Sequence, residues 1–352
     1  RAGLWLLALM TVLSACTTAP PRRVADVAPP PTVQIPDDPY ALSSHRFELE
    51  SLNTDLVGRL QVTRATHEDT FTDLARRFNV GYEELVRANP GVDPWLPGEG
   101  TQIFIPGQRI LPPGPAEGIV VNLPEHRLYY FPKAAKGEPR TVLTFPVSVG
   151  KMDWRTPIGS TKIVSKQKNP SWTPPKSVHE ERRRLGEPPL PAVVPPGRDN
   201  PLGAHAMRLS IPGGAYLIHG TNNPDAVGMA VTHGCLRMYP EDIATLFERV
   251  PVGTKVTLID EPVKMTKIDG EVWLEVHPPI DDQGRAVAVS LDLFEARLDA
   301  LLGESEVVIN WDIALEALRD ARGIPVMVTY AGGYARRVDD TVTIHCNTVA
   351  AA

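Results

Sequence analysis

The chain has 352 residues, a formal net charge of −6, 42% hydrophobic residues and three cysteines. This length predicts two or three domains with enough chain to bury a core. The interspersed charges exclude a disordered polyelectrolyte and a basic nucleic-acid-binding protein, and three cysteines are too few for a disulfide scaffold. The 36 prolines, roughly twice ordinary usage, exclude a simple helical bundle or coiled coil.

An apolar run opens the chain and ends near its first cysteine. Residues 4–13 are too few to cross a bilayer, which takes about 20 residues, and they are typical of a secretory signal. Leu13-Ser14-Ala15-Cys16 resembles a bacterial lipobox. The resemblance implies a lipoprotein signal peptide at 1–16, lipid attachment at Cys16 and a periplasmic location, anchored to the outer membrane. The alternative is an ordinary signal peptide in which the cysteine falls at the cleavage site by chance.

Residues 17–57 are predicted to form a proline-rich linker. Seven prolines lie within residues 17–40. Such composition favours an extended spacer and cannot build a core. We therefore expect a stalk that holds the folded part away from the membrane.

The segment 58–108 has the pattern strand, helix, helix, strand. Its first helix has Asp69 or Thr70 as a candidate N-cap. The pattern resembles a LysM module, on motifs that include Asp69-Thr70-Phe71, Ala88-Asn89-Pro90 and Ile103-Phe104-Ile105-Pro106, although Glu68 stands where most such modules have glycine. The resemblance implies a βααβ peptidoglycan-binding module with five residues near the sugar: Asp69, Thr70, Phe71, Asn89 and Pro90. The alternative is a packing domain without affinity for glycans.

Residues 117–260 are dominated by short β-type runs separated by Gly and Pro. They predict a β-sandwich or barrel-like sheet. The predicted strands are 119–121, 127–131, 141–149, 160–165, 215–219 and 255–259. One helix is predicted at Pro240–Arg249, with proline at its start and acidic residues in its first turn.

A histidine at a strand end and a cysteine in a glycine-containing loop mark the candidate site. His219 ends an apolar run, and Cys235 follows in Thr232-His233-Gly234-Cys235-Leu236-Arg237. A thiol nucleophile acts as the thiolate, and a neighbouring imidazole can remove its proton. Backbone amides near Cys235 could stabilise an oxyanion, and Arg237 could hold a carboxylate.

Each of these residues also has a structural interpretation. A lone cysteine is often a small buried hydrophobic residue, and a histidine at a strand end often serves the fold. A zinc site formed by His219, His233 and Cys235 fits the usual ligand spacings poorly, since no fourth soft ligand is near in sequence. We therefore predict no metal and no cofactor.

The cluster as a whole resembles the signature of the L,D-transpeptidase (YkuD-type) catalytic domain. The resemblance extends over 117–260 and includes Val149-Gly150-Lys151, Asn169-Pro170-Ser171-Trp172 and Asn200-Pro201-Leu202-Gly203. It implies a mainly β catalytic domain, the β-sandwich of this family. The nearest group is that of periplasmic enzymes that form peptidoglycan cross-links or attach a Braun-type lipoprotein.

The resemblance also implies a role for each site residue. Cys235 would be the nucleophile, His219 its base and the Gly220 carbonyl the group that orients the imidazole, while His233 would shape the pocket. Substrate binding would fall to Arg237, Thr221, Thr232, Gly234 and Trp172, with the amides of Gly234 and Cys235 as the oxyanion hole. The Trp172 region and the stretch from Glu187 to Pro201 would form a flap over the site.

The implied reaction is a two-step acyl transfer on peptidoglycan tetrapeptide stems. Cys235 would form a thioester at meso-diaminopimelate with loss of D-Ala, and an amine of another diaminopimelate or of a lipoprotein lysine would take the acyl group. The implied partners are peptidoglycan, an outer-membrane lipoprotein as acceptor, and the membrane through the lipid. Two alternatives stay open: an L,D-hydrolase of the same fold, and a non-catalytic glycan-binding lipoprotein.

Residues 261–352 are predicted to form an α/β accessory region. Residues 265–276 predict a hairpin with an Asp269-Gly270 turn, which suits type I′. Helices are predicted at 291–302 and 311–322, and a strand at 326–328. Cys346 is expected to be a free thiol or a minor redox lock.

Overall fold

A computed structural model describes residues 45–49, 55–151, 155–212, 216–279, 287–305 and 307–329. The leader with Cys16, residues 17–44 of the predicted linker and Cys346 lie outside the described residues, so the predictions for them stay predictions. Residues 46–49, near the end of the predicted linker, form a strand that pairs with residues 140–143 in the large sheet. Within the described ranges, none of the helices combines the length and the apolarity needed to span a membrane.

The predicted order of strand, helix, helix and strand is present in the segment 58–108. After two short strands, β1 (Arg46–Leu49) and β2 (Leu56–Val57), come β3 (Gln61–Arg64), α1 (Phe71–Arg77), α2 (Tyr82–Ala88) and β4 (Gln102–Ile105). Strands β3 and β4 pair antiparallel. Thr70 is the N-cap of α1 and forms a capping box with Asp73, which satisfies amides that the first turn leaves free. We call residues 58–108 the small module.

The next part of the chain forms most of a large sheet. Its elements are β5 (Arg109–Ile110), β6 (Gly118–Asn122), β7 (Arg127–Phe131), β8 (Arg140–Pro146), β9 (Val149–Gly150), β10 (Gly159–Lys168), α3 (Lys176–Arg184), β11 (His205–Leu209), β12 (Leu217–His219), β13 (Ala230–Thr232), β14 (Leu236–Arg237), α4 (Pro240–Arg249) and β15 (Lys255–Ile259). The sheet has nine strands in the order β1-β8-β7-β6-β15-β10-β11-β12-β14, and β9 and β13 form a separate pair. The predicted strand-rich architecture is confirmed.

Strand β10 joins the two halves of this sheet. Its first residues pair with β15 and its later residues pair with β11, with a register shift between Ile163 and Ser165. The two halves share one hydrophobic core, to which Val121 and Leu128 contribute from one half and Met207 and Ile218 from the other. Helix α4 covers part of this apolar face, since Ile243 and Leu246 belong to the same core.

One predicted strand is wrong in its extent. The run 141–149 is two strands, because β8 ends at Pro146 and β9 begins at Val149. Proline has no amide hydrogen to continue a ladder. The short strand β9 therefore leaves the large sheet and pairs with β13, at the rim of the site described below.

The C-terminal region has a sheet and a core of its own. It contains β16 (Val263–Ile268), β17 (Glu271–Val276), α5 (Leu291–Leu302), α6 (Trp311–Asp320) and β18 (Val326–Met327). The predicted hairpin is present, and its turn residues Asp269 and Gly270 have φ angles of 51° and 87°, the signs that a type I′ turn requires. Phe294 and Trp311 pack edge to face in the core.

A buried carboxylate fastens the small module to the large sheet. Glu84 of α2 lies 2.9 Å from Arg109 Nη1 and 2.7 Å from Arg127 Nη2 of β7. All three side chains are at most 4% exposed. Burial by itself raises the pKa of Glu84, but Arg127 and Arg109 hold it well below its usual range. The module is therefore held to the sheet by charges that have no access to water.

We predict that Glu84→Gln destabilises the folded protein by about 3 kcal/mol, because it leaves two buried guanidinium groups without their carboxylate. Urea unfolding followed by tryptophan fluorescence measures the change. A carboxyl whose pKa is lowered on folding contributes stability above its ordinary pKa and loses it in acid, so the difference from wild type should shrink below about pH 4.

Glu83→Gln is the matched control. Glu83 is the neighbouring residue on α2, and its side chain is 35% exposed. Its substitution should change the unfolding free energy by less than about 0.5 kcal/mol. Equal effects of the two substitutions would contradict the role given to Glu84.

Candidate active site

A cavity of about 550 Å³ opens on the sheet face formed by β10, β11, β12 and β14. Its wall includes six of the residues predicted for the site: Trp172, His219, Thr232, His233, Cys235 and Arg237. The structure thus brings together residues that are 65 positions apart in sequence. Gly220, Thr221 and Gly234, also predicted for the site, are not among the residues that line the cavity. They belong to the backbone turns next to His219 and Cys235.

The pairing of β12 with β14 places the two principal residues. The strands run parallel, with Ile218 opposite Leu236 and His219 opposite Arg237. Ile218 and Leu236 are fully buried in the core. Because side chains alternate along a strand, the side chains of His219 and Arg237 project to the other face, into the cavity.

Cys235 follows the same alternation. It stands two residues before Arg237, and its thiol interacts with the backbone of Leu217, the residue two positions before His219. Adjacent strands lie about 4.8 Å apart. The strand-end histidine and the loop cysteine are therefore on neighbouring segments of one sheet face, as the sequence predicts.

The His219 imidazole is oriented by the backbone. Its Nδ1 lies 2.6 Å from the carbonyl oxygen of Gly220, so Nδ1 carries the proton and donates it. Nε2 is left as the basic nitrogen. Burial and, to a smaller extent, Arg237 lower the pKa of His219 to about 4. The imidazole is neutral near pH 7 and is able to accept a proton.

A tight turn carries Cys235. Gly234 has a φ of 91°, a conformation that glycine adopts without steric cost. The hydroxyl of Thr232 donates to the Cys235 carbonyl at 2.6 Å, and that of Thr156 donates to the Gly234 carbonyl at 3.1 Å. These two hydrogen bonds fix the carbonyl groups of the turn and so stabilise its backbone conformation.

Burial raises the pKa of the Cys235 thiol, and the Leu217 backbone and Arg237 oppose this only in part. Together with the neutral His219, this makes the resting pair an uncharged thiol and an uncharged imidazole. A nucleophilic role for this thiol would therefore need a general base to take its proton as sulfur attacks.

Thr221 has a different position from the one predicted. Its hydroxyl donates to the Asn223 carbonyl at 3.0 Å and accepts from the Asn223 amide at 2.9 Å. The side chain is 5% exposed. It therefore closes the turn after His219, and its hydroxyl has no direct route to a substrate.

His233 has a partner that the sequence does not indicate. Its Nε2 lies 2.9 Å from Glu181 Oε2, and Glu181 also contacts the ammonium group of Lys151. Burial lowers the pKa of His233, and Glu181 opposes that effect. Glu181 lies in a run of charged residues on α3, a pattern that usually marks a solvated helix face, so no sequence signal distinguishes it from Glu180.

The predicted flap corresponds to an ordered segment between β10 and β11. Trp172 and Val194 form reciprocal backbone hydrogen bonds of 2.9 and 2.7 Å. The Asn200 side-chain amide donates to the Pro170 carbonyl at 2.8 Å. Helix α3, which the sequence analysis did not predict, lies between these two ends.

The side chains predicted to meet sugar in the small module are mostly occupied. Phe71 is fully buried in the module core. The Asn89 side chain bonds Leu85 and both backbone groups of Phe104, and buried Asp69 pairs with Arg77. These three side chains serve the fold, because burial and satisfied hydrogen bonds leave nothing to offer a ligand. Thr70 and Pro90 remain accessible.

Among the described residues, one group could hold a metal ion: Glu125, Glu275 and His277. The ammonium of Lys264 lies 3.0 Å from Glu125 and 2.8 Å from Glu275. Lys264 thus supplies the positive charge that a cation would bring, and paired buried charges of this kind serve the fold.

The family model and the relatives that this chain matches carry the same family name. The family model described as the L,D-transpeptidase catalytic domain (YkuD) matches residues 116–258. The probable L,D-transpeptidase YbiS of Escherichia coli K12 is 40% identical over 293 residues, which cover 81% of this chain and 92% of that protein. The probable L,D-transpeptidase YcfS of the same strain is 40% identical over 264 residues, 72% of this chain and 79% of that protein.

Among solved structures, an L,D-transpeptidase from Mycobacterium tuberculosis H37Rv matches with a TM-score of 0.28 and 18% sequence identity. The match covers 46% of this chain and 64% of that one.

We predict that alkylation of Cys235 by iodoacetamide in the folded protein rises continuously into the alkaline range, without a plateau in acid. The thiolate is the reacting form, and burial raises the pKa of this thiol. Mass spectrometry of the Cys235 peptide after timed alkylation measures the rate at each pH.

The same cysteine in urea-unfolded protein is the reference, with an ordinary pKa of about 8.5. Near neutral pH the unfolded form should react faster than the folded one. A folded-state rate that stays constant between about pH 5 and pH 8, as for a thiolate–imidazolium pair, would contradict the neutral pair.

Proposed function

This chain belongs to the L,D-transpeptidase family, and we propose that Cys235 is its nucleophile and His219 its general base. The observation that carries the proposal is the site geometry. His219 and Cys235 lie on one face of the β12–β14 pairing, and Gly220 fixes the tautomer that leaves Nε2 basic. An oriented base beside a thiol is what nucleophilic acyl transfer needs.

In the proposed first step, His219 Nε2 takes the proton of the Cys235 thiol as sulfur attacks a carbonyl of a peptidoglycan tetrapeptide stem. That carbonyl belongs to the L-centre of meso-diaminopimelate. The C–S bond forms, the amide C–N bond breaks, and the imidazolium returns the proton to the departing D-Ala amine. Because both groups start uncharged, the attack creates two charges together, the imidazolium of His219 and the oxyanion that the turn at Cys235 would stabilise.

Two features near Cys235 support this step: the hydrogen bonds that hold its turn, and a guanidinium that faces the cavity. The hydroxyls of Thr156 and Thr232 hold the carbonyls of Gly234 and Cys235, which fixes the Gly234–Cys235 peptide plane and with it the direction of the Cys235 amide, one of the two amides proposed for the oxyanion. Arg237 faces the cavity across from His219, where its guanidinium suits a carboxylate of the stem.

In the proposed second step, an amine attacks the thioester and restores the thiol. The acceptor is a second diaminopimelate, giving a 3-3 cross-link, or the lysine of an outer-membrane lipoprotein. Water in the same place would make the enzyme an L,D-hydrolase. Lipid at Cys16 would hold the enzyme in the periplasm, at the outer membrane, within reach of the cell wall.

A second proposed function is glycan binding by the small module. Trp95 is 58% exposed, and its ring centroid lies 6.0 Å from that of Tyr82. An exposed aromatic pair of this kind offers an apolar face with a polar tip, which suits the C–H face of a pyranose. The sequence gives no signal for Trp95, since a single tryptophan in a loop has no distinctive pattern.

We predict that the purified chain releases D-Ala from a disaccharide tetrapeptide, and that Cys235→Ala abolishes the release. His219→Ala should slow it by at least about 10²-fold, the contribution of a general base. Mass spectrometry of the products, with a lysine-bearing acceptor present, measures both release and transfer.

Glu180→Gln, an exposed substitution on α3, serves as the control for handling and folding. Equal release from wild type and from Cys235→Ala would contradict the cysteine mechanism. An unchanged rate in His219→Ala would remove His219 as the base.

We predict that Trp95→Ala reduces co-sedimentation of the protein with isolated peptidoglycan by about fivefold, because it removes the exposed ring. Leu96→Ala is the matched control, since Leu96 is the next residue and is 77% exposed. The release of D-Ala from the soluble disaccharide tetrapeptide should be unchanged in both variants. Equal sedimentation of wild type and Trp95→Ala would contradict this binding surface.

A further inference from the structure

Helix α3 lies in the segment 170–201 between β10 and β11, and it is held in an unusual way. None of its nine residues is buried. Most helices are held by an apolar face packed on a core. For α3, attachment must therefore come from polar contacts and from the ends of the segment.

The ends of the segment are anchored close to the sheet. Backbone bonds between Trp172 and Val194, and the bond from Asn200 to Pro170, tie them together. Arg182 on α3 bonds Pro188 and Glu187, both within the same segment. These contacts shape the segment but leave α3 without a tie to the far side of the cavity.

Glu181 makes the contacts that connect α3 to the other side of the cavity. Among the hydrogen bonds and ion pairs of the described residues, its contacts are the ones that join α3 to another part of the chain. One carboxylate oxygen meets the His233 Nε2 at 2.9 Å and the other meets the Lys151 ammonium. The Glu181 side chain is 15% exposed, so solvent screens these contacts only in part.

Both partners lie at the pair of strands β9 and β13, and His233 lines the cavity. Lys151 directly follows β9, and its amide donates to the Thr232 carbonyl of β13 at 2.9 Å. His233 follows β13 and stands two residues before Cys235. A single carboxylate on α3 thus contacts the residues that follow two paired strands, β9 and β13, and β13 leads to Cys235.

The charges at this contact complement one another. The hydrogen bond from Lys151, helped by His233, lowers the pKa of Glu181. Glu181 is therefore ionised near pH 7, accepts a charge-assisted hydrogen bond from the Lys151 ammonium and lies within ion-pair distance of the His233 imidazole. The preceding residue, Glu180, is exposed and takes part in none of the ion pairs found among the described residues.

We propose that Glu181 is a positioning residue that latches α3 over the cavity and thereby protects the thioester from water. The inference rests on the proposed function, because it concerns the thioester at Cys235. The residues of the segment that line the cavity, among them Pro175, Ser177 and Val178, form its cover while the latch holds. A closed cover excludes water and favours an amine that binds in the cavity.

The step that the latch suppresses is hydrolysis. Water attacks the thioester carbonyl, a C–O bond forms, the C–S bond breaks, and the stem leaves as a carboxylic acid while the proton returns to Cys235 sulfur. Transfer differs only in the nucleophile, since an amine gives an amide. The ratio of the two products therefore reports how well water is kept out, whatever the rate of the first step.

The test compares Glu181→Ala, Glu181→Gln and the matched control Glu180→Ala in the full chain. Each is incubated with disaccharide tetrapeptide and a lysine-bearing acceptor, and D-Ala, amide product and free tripeptide acid are counted by mass spectrometry. Glu181→Ala should raise the acid-to-amide ratio by about fivefold, the weight of a partly exposed ion pair. Glu181→Gln keeps a hydrogen-bonding group but loses the charge, so its acid-to-amide ratio should lie between those of wild type and Glu181→Ala. The ratio of Glu180→Ala should match that of wild type.

An unchanged ratio in Glu181→Ala, or the same increase in Glu180→Ala, would overturn the latch. Lys151→Met removes the other partner and should raise the ratio as well, which keeps the test decisive if Glu181→Ala folds poorly. Absence of D-Ala release in every sample, wild type included, would instead count against the proposed function. Failure of the inference and failure of the function are thus distinguishable.

Discussion

The site depends on one short pairing, in which β14 lies parallel to β12 with Ile218 beside Leu236. Both side chains enter the core, so alternation turns His219, Cys235 and Arg237 toward the cavity together. A shift of one residue in this register would send the side chain of Cys235 into the core. The pairing consists of two residue pairs, which is too short to fix the register alone. The surrounding structure must therefore stabilise the chain that connects the two strands.

That chain, residues 220–235, is an unusual connection. Parallel strands need a crossover, which is commonly a helix, but here it contains only a short turn at Pro224–Ala226 and the strand β13. The small module supports it: the Tyr82 amide donates to the Val227 carbonyl at 3.3 Å. Gly81 and Gly228 approach so closely that a Cβ on Gly228 would lie 2.4 Å from the Gly81 Cα. The module is therefore a structural neighbour of the catalytic loop, in addition to any affinity for glycan.

The electrostatics of the cavity suit acyl transfer by a neutral pair. Burial keeps both His219 and Cys235 uncharged at rest, which guards the thiol from oxidation, a reaction that requires thiolate character. Charge then develops only during attack, next to fixed amides and Arg237. On the other side of the cavity, the contact between Glu181 and His233 joins helix α3 to the turn that carries Cys235.

The sequence by itself determined the local features of this protein: the capped helix α1, the type I′ hairpin at Asp269-Gly270, most strands, and the His219–Cys235 motif. These depend on residues near one another in sequence, where backbone preferences and side-chain periodicity act directly. Tertiary structure alone decided that Phe71 packs inward, that Thr221 closes a turn, and that Glu181 meets His233 across 52 positions. Identical side chains, such as Glu180 and Glu181, have the same local preferences, and only the neighbours brought by the fold give one of them a partner.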